Sequence, residues 1–251
     1  MPQQRSKKHA SRRRFRNRSS RNKYRATTFQ TPCSIAIVST VAKMPDAAWL
    51  AHHRRIGVIH FYLSIATPPT HHADDVTVYN RSDAPCGYAF WMNQEAHVTR
   101  VIPTAKRHGI THLLHIDDDE LLYLPGGRSE FNAYLHRINP YARCLVIQNV
   151  EAVAPHDKVH SPFEECFFFK TTPLTFTAYA NGKSLGVLSH ADIRGDGAHG
   201  FRGTVHVDEH IALILHYESM VVTKWQEKFQ RMARATNVEV HIPFTFYKES
   251  L

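Results

Sequence analysis

His112-Leu113-Leu114-His115-Ile116-Asp117-Asp118-Asp119-Glu120-Leu121-Leu122-Tyr123-Leu124-Pro125 is an apolar run with four adjacent carboxylates set into its middle. Four such groups repel one another, and beside a core their pKa values would climb unless a cation compensates them. Hard oxygen ligands on a short loop suit Mg²⁺, Mn²⁺ or Ca²⁺. The segment before them reads as a buried strand, so the acidic cluster falls at a strand's carboxyl end, where open α/β sheets bind ligands. An acidic surface turn is the ordinary fate of a carboxylate run. Here Leu121, Leu122 and Leu124 resume the apolar pattern at once, without the Gly, Ser or Pro that usually flank a plain surface loop.

The flanking chain supplies the rest of an α/β pattern. Cys33 to Val41 is rich in β-branched residues and reads as an opening strand. Residues 45–56 space Ala47, Leu50, Ala51 and Ile56 as a helix does, with Asp46 as N-cap and Gly57 as its end. Val58 to Ile65 is a second strand, and a strand, helix, strand order implies parallel pairing through a crossover. Val76 to Tyr79 is a short third strand. A helix over 93–108 carries Pro103, an expected kink, and stops at Gly109. After the acidic stretch come a Gly126-Gly127 turn, a helix from about Ser129 to Ile138, and a strand at Cys144 to Gln148. The second half offers strands at Glu165 to Phe169, Ser184 to Leu188 and Ile211 to Tyr217, then a basic helix over 221–235. Alternating strands and helices predict one α/β domain with a mixed sheet flanked by helices.

The chain of 251 residues is 43% hydrophobic, enough for a sizeable core, and its formal net charge is +9. That charge is local. Residues 1–30 hold eleven of the 31 Lys and Arg and no Asp or Glu, leaving twenty basic residues against 22 acidic ones in 31–251. The body therefore makes no electrostatic case for nucleic acid. Residues 1–30 hold few large apolar side chains and read as a disordered basic tail, with 31–251 as the folded domain. An Arg/Ser-rich, acid-free tail fits an organelle transit peptide, a nuclear signal or an arm for anionic surfaces. No stretch approaches 18 apolar residues, so neither a transmembrane span nor a secretory core is expected, and the protein as given reads as soluble. Cys33, Cys86, Cys144 and Cys166 lie far apart with no CxxC pair, as buried thiols do. Trp49, Phe61 and Tyr62 read as core aromatics.

Five short motifs stand in order along the chain. They are Trp49-Leu50-Ala51-His52-His53 through Gly57-Val58-Ile59-His60-Phe61-Tyr62-Leu63; Ile116-Asp117-Asp118-Asp119-Glu120-Leu121; Gly182-Lys183-Ser184; Ala198-His199-Gly200-Phe201; and His216-Tyr217 with Ser219 and Lys228. In this series the chain resembles glycosyltransferase family 92 and the related family 2-like group, from about Ile35 to Lys228. The resemblance implies a GT-A-like, Rossmann-related fold. It implies that Asp117 and Asp119 are the DxD pair holding Mn²⁺ or Mg²⁺ and the donor diphosphate or ribose, with His199 or His216 completing the metal shell. Asp118 and Glu120 would support the site or contact substrate, and Lys183 and Lys228 would meet phosphate oxygens as point charges. The chain departs from the family at Ala42-Lys43-Met44-Pro45 and at Ala66-Thr67-Pro68-Pro69-Thr70-His71-His72, where donor-contacting loops stand.

The expected activity is metal-dependent transfer of a sugar from a nucleotide-diphospho-sugar to a hydroxyl of a glycan or other acceptor, the metal stabilising the departing diphosphate. If transfer inverts the anomeric centre, a carboxylate must take the acceptor proton, and Asp208, Glu209 and Glu151 are available. Two other readings stand beside it. One is a metal-dependent phosphohydrolase or nuclease, which also gathers carboxylates and histidines around divalent ions. The other is an inactive transferase-like protein whose arginine tail binds nucleic acid.

Overall fold

Ile35–Val41 (β1) is buried at every position, and it is the strand on which the fold is laid. A strand buried on both faces reads as a continuous apolar run rather than an alternation, which is why its sequence was so legible. In the computed structural model, which describes residues 33–81, 90–138, 142–156, 158–176, 179–198, 200–203, 205, 207–217 and 226, β1 lies at the centre of a six-stranded sheet. The two faces of β1 feed two different cores. Ile35, Ile37 and Val41 face one, with Trp49, Phe131 and Leu135; Ala36 and Val38 face the other, with Val98, Val101, Ile102 and Ala105.

Those partners come from the flanking helices. Ala47–Arg55 (α1) starts where the Asp46 carboxylate accepts the Ala48 amide at 2.8 Å, and the chain leaves it through Gly57 at φ +92°, a conformation that costs glycine little. Phe90–Arg107 (α2) runs on through Pro103 and covers the second core, while Gly127–Ile138 (α3) buries Phe131, Tyr134 and Leu135 in the first. A mixed sheet with helices on both faces results.

The remaining strands define the order. Val58–Ile65 (β2) and Val76–Asn80 (β3) follow β1 outward in parallel, and His112–His115 (β4) pairs parallel on its other side. Glu120–Tyr123 (β5), Cys144–Ile147 (β6), Asn149–Val153 (β7), Phe168–Lys170 (β8), Lys183–Val187 (β9) and Leu213–His216 (β12) complete the two main sheets, with Gly195–Asp196 (β10) and Gly200–Phe201 (β11) as a small antiparallel pair. The large sheet runs β3-β2-β1-β4-β9-β6, parallel as far as β4 and antiparallel from β9 on. The second runs β5-β12-β7-β8.

The chain changes between these sheets repeatedly, and two of the crossings lie side by side. β4 passes through residues 116–119 into β5, and β6 passes through Gln148 into β7. Lys183, at the head of β9, is in register with Ile147 beside the second crossing. The acidic loop therefore sits where the parallel run ends and the two sheets meet.

The expected strand at Glu165 to Phe169 is corrected. Pro162–Glu165 forms a short helical turn (α4) with proline at its start, and the strand begins only at Phe168. The phenylalanine run suggested burial, yet Phe167, just before the edge strand, and Phe168, its first residue, are 71% and 74% exposed. Cys33, Cys144 and Cys166 are free and buried, as expected. Residues 1–30, Cys86, His199 and Lys228 lie outside the described residues, as does the expected helix over 221–235 apart from Gln226.

Candidate functional site at the junction of the two sheets

The loop after β4 closes on itself. The Glu120 amide donates to the Asp117 carbonyl at 3.3 Å, and the Asp117 amide donates to Glu120 Oε2 at 2.8 Å, so the first and last acids of the quartet define a tight turn. Trp49 Nε1 donates to the Glu120 carbonyl at 2.7 Å and ties α1 to the start of β5. On the other side the Tyr217 amide donates to the Asp119 carbonyl at 2.9 Å. Asp118 and Asp119 lie between these anchors, half-buried.

The charges divide by depth. Glu120 is fully buried, and its carboxylate accepts the Tyr179 hydroxyl at Oε1 and the Asp117 amide at Oε2. Lys183, only 1% exposed, places Nζ 2.5 Å from Asp117 Oδ2 and 3.4 Å from Glu120 Oε2. Gln94 Nε2, from α2, approaches the other Asp117 oxygen at 3.3 Å. The Tyr179 ring lies 5.2 Å from the lysine ammonium and 4.7 Å, tilted, from the His216 ring. Burial by itself would lower the Lys183 pKa; the carboxylates of Asp117 and Glu120 outweigh it, raise the pKa and keep the ammonium charged. Burial raises Glu120, with Lys183 opposing and Asp117 reinforcing the shift. Burial and the nearby Glu120 carboxylate hold the Tyr179 phenol well above its ordinary range.

His216 stands in register between Glu120 on β5 and Glu151 on β7, and Glu151 in turn faces Lys170 on β8, with Lys170 Nζ 3.9 Å from Glu151 Oε2. Glu120, His216, Glu151 and Lys170 thus form one polar row across the second sheet. Of the carboxylates considered as proton acceptors, Glu151 belongs to that row. Asp208 and Glu209 are exposed, and Asp208 accepts the His210 amide at 2.8 Å within its own turn.

Asp117, Asp118, Asp119, Glu120, Lys183 and His216 are therefore gathered in one place. Sequence reasoning missed Tyr179, Gln94 and Asn149. Asn149 Nδ2 donates to the Tyr179 carbonyl at 2.7 Å and its Oδ1 accepts the Gly182 amide at 3.1 Å, holding the segment that delivers both Tyr179 and Lys183. The one signal for Asn149 was a polar residue directly after an apolar strand; Gln94 and Tyr179 had none.

A divalent ion bridging Asp117 and Asp119 does not fit this arrangement. Asp117 Oδ2 is already in contact with an ammonium, and its Oδ1 faces an amide donor. Among the described residues no group of three or more His, Cys, Asp and Glu side chains is arranged to hold a metal.

The comparisons with known proteins agree in kind. The chain is similar to glycosyltransferase-like proteins. Two from Arabidopsis thaliana, each named glycosyltransferase-like, are 27% and 26% identical to it over 161 and 162 residues, 53% of this chain in both cases. These stretches are 35% and 30% of the relatives' own lengths, so the chain spans about a third of the curated proteins it matches. No family model matches it. A solved UDP-glucose pyrophosphorylase from Acinetobacter baumanii covers 77% of this chain, and this chain covers 91% of it, at 11% identity and a TM-score of 0.34, a likeness too loose to say more. No helix among the described residues is long and apolar enough to cross a membrane.

Proposed function

We propose that this chain is a sugar transferase of the family 92 and family 2-like kind, which moves a sugar from a nucleotide-diphospho-sugar to a hydroxyl acceptor. The observation that carries the reading is the position of Asp118 and Asp119. They are half-buried carboxylates at the carboxyl end of β4, where the parallel run gives way to antiparallel β9 and the chain changes sheets. Ligands of open α/β sheets bind at such a switch point. The similarity to glycosyltransferase-like proteins and the ordered motifs from Trp49 to His216 support the same reading.

In this reading transfer breaks the bond between the anomeric carbon and the diphosphate oxygen and forms one to the acceptor oxygen, whose proton departs. Carboxylates accept hydrogen bonds from hydroxyls, and Asp118 and Asp119 are the half-buried acids of the quartet that do not contact the Lys183 ammonium directly. They orient sugar, ribose or acceptor hydroxyls, while Glu120, Tyr179 and Lys183 fix the loop beneath them. A rigid support of this kind keeps a reacting pair aligned, where a shift of about 1 Å can cost on the order of 100-fold in rate.

The test is release of nucleoside diphosphate by the full-length chain across a panel of nucleotide sugars with simple glycan acceptors, with and without added Mn²⁺ and Mg²⁺. One donor should give turnover that Asp119→Asn lowers by about 100-fold at unchanged melting temperature, the scale of a lost hydrogen bond to a charged group. Absence of release with every donor, or undiminished release by the variant, rejects the assignment.

A further inference from the structure

The four acids called for a compensating cation, and the chain carries one of its own. Lys183 leads β9 with its backbone fixed on three sides. Gly182 before it holds φ +66° and would drive a Cβ to 2.3 Å from the Ile147 carbonyl oxygen; Ile147 is its register partner; Asn149 accepts the Gly182 amide. The side chain is enclosed by Asp117, Glu120 and the Tyr179 ring. An ammonium so deep cannot part from its carboxylates without leaving a buried charge uncompensated. A divalent ion such as Mg²⁺ needs a carboxylate oxygen at about 2.1 Å, and Asp117 Oδ2 already has Nζ at 2.5 Å. A dication on that oxygen would share it with the ammonium, two like charges held on one ligand atom.

We infer that Lys183, rather than a divalent ion, is the standing cationic partner of Asp117, which makes Asp117 a positioning residue that fixes the turn beneath Asp118 and Asp119. The inference concerns the site of the proposed function but does not require sugar transfer. It divides the quartet by role. Asp117 and Glu120 contact the Lys183 ammonium directly while Asp119 acts on it from farther off, and any divalent ion used in turnover is held without Asp117.

The experiment reads Mn²⁺ directly, through the electron paramagnetic resonance signal of free Mn²⁺ titrated with the full-length chain and with Asp117→Asn, the melting temperature confirming that each is folded. The expected result is the same Mn²⁺ affinity for both, whether measurable or nil. Binding by the wild type that falls tenfold or more in a folded Asp117→Asn overturns the inference. A second measurement covers a variant that fails to fold. Lys183→Met should lower the melting temperature by roughly 10 °C, since breaking a buried pair is strongly destabilising. Adding Asp117→Asn to it should recover part of that loss, because the uncompensated charge is removed. Strictly additive losses, or an unchanged melting temperature in Lys183→Met, would show a lysine that only packs and would also overturn it. Neither readout involves a donor sugar. Failure of every transferase assay would leave this result standing, and failure here would leave the transferase reading open.

Discussion

A carboxylate with no exposure is held by what donates to it, and at Glu120 the donors are a phenol, a backbone amide and an ammonium. Removing one leaves the others in place, so each can be examined separately. Tyr179→Phe keeps the ring that packs against His216 and removes only the hydroxyl. Hydrogen bonds to charged groups contribute about 1.5 to 3 kcal/mol, and a loss of about 2 kcal/mol is expected in urea unfolding. An unchanged midpoint and slope would mean that the hydroxyl does not support Glu120. This part of the site was half legible. The acids announced themselves as four in a row, and the need for a cation followed from their repulsion. What the sequence could not show was which cation. Lys183 lies 66 residues from Asp117 along the chain, and a lysine following a glycine looks the same whether it turns outward to phosphate or inward to a carboxylate. Only the register of β9 against β6 decides it.

At the level of elements, the strands buried on both faces were readable and the edges were not. β1, β4 and β2 from Phe61 on announce themselves because their residues are buried on both faces, and an apolar run has one meaning there. β5 and β7 were hidden because each begins with a polar residue that belongs to the site, Glu120 or Asn149, so the pattern seemed to break where the chain was only changing sheets. β8 misled in the opposite sense, since exposed phenylalanines on an edge imitate a core strand. The element on which the site depends most is β9, and its entry can be tested. Gly182→Ala places a Cβ against the Ile147 carbonyl and forces a non-glycine residue into the left-handed region. The backbone term alone costs about 1 to 2 kcal/mol, and the clash adds to it, so a total on the order of 3 kcal/mol is expected. If β9 instead keeps its place without that glycine, the unfolding midpoint of the variant will match the wild type.

For the molecule as a whole, the acid limit of stability is set by histidines that the fold keeps neutral. His53 is the clearest. Its Nδ1 donates to the Trp49 carbonyl at 2.9 Å while its Nε2 accepts the Leu122 amide at 3.2 Å, so a second proton has nowhere to go without breaking the link between α1 and β5. Burial first, then the neighbouring His52, lowers its pKa to about 3. Burial likewise lowers His97, beneath the Tyr79 ring, and His112, at the head of β4, each to about 4. A histidine whose folded pKa lies below its unfolded value near 6.5 binds its proton only in the unfolded chain across that interval. Stability is then complete above about pH 6.5 and falls as pH drops toward the folded values. Each of the three costs about 1.4 kcal/mol per pH unit in that window, hence about 2 kcal/mol each at pH 5. Glu120 works in the other direction, because its raised pKa lets the folded state take up a proton as the medium acidifies. The three histidines together withdraw about 6 kcal/mol between pH 7 and pH 5, less what Glu120 returns, against about 5 to 15 kcal/mol for the stability of a typical domain. Urea midpoints measured at pH 7, 6 and 5 should therefore fall steadily, with proton uptake on unfolding near pH 5.5. His53→Gln, whose amide cannot take up a proton, should flatten that fall even though it lowers the midpoint at pH 7. Midpoints that stay level from pH 7 to pH 5 would mean that these histidines do not carry the acid limit.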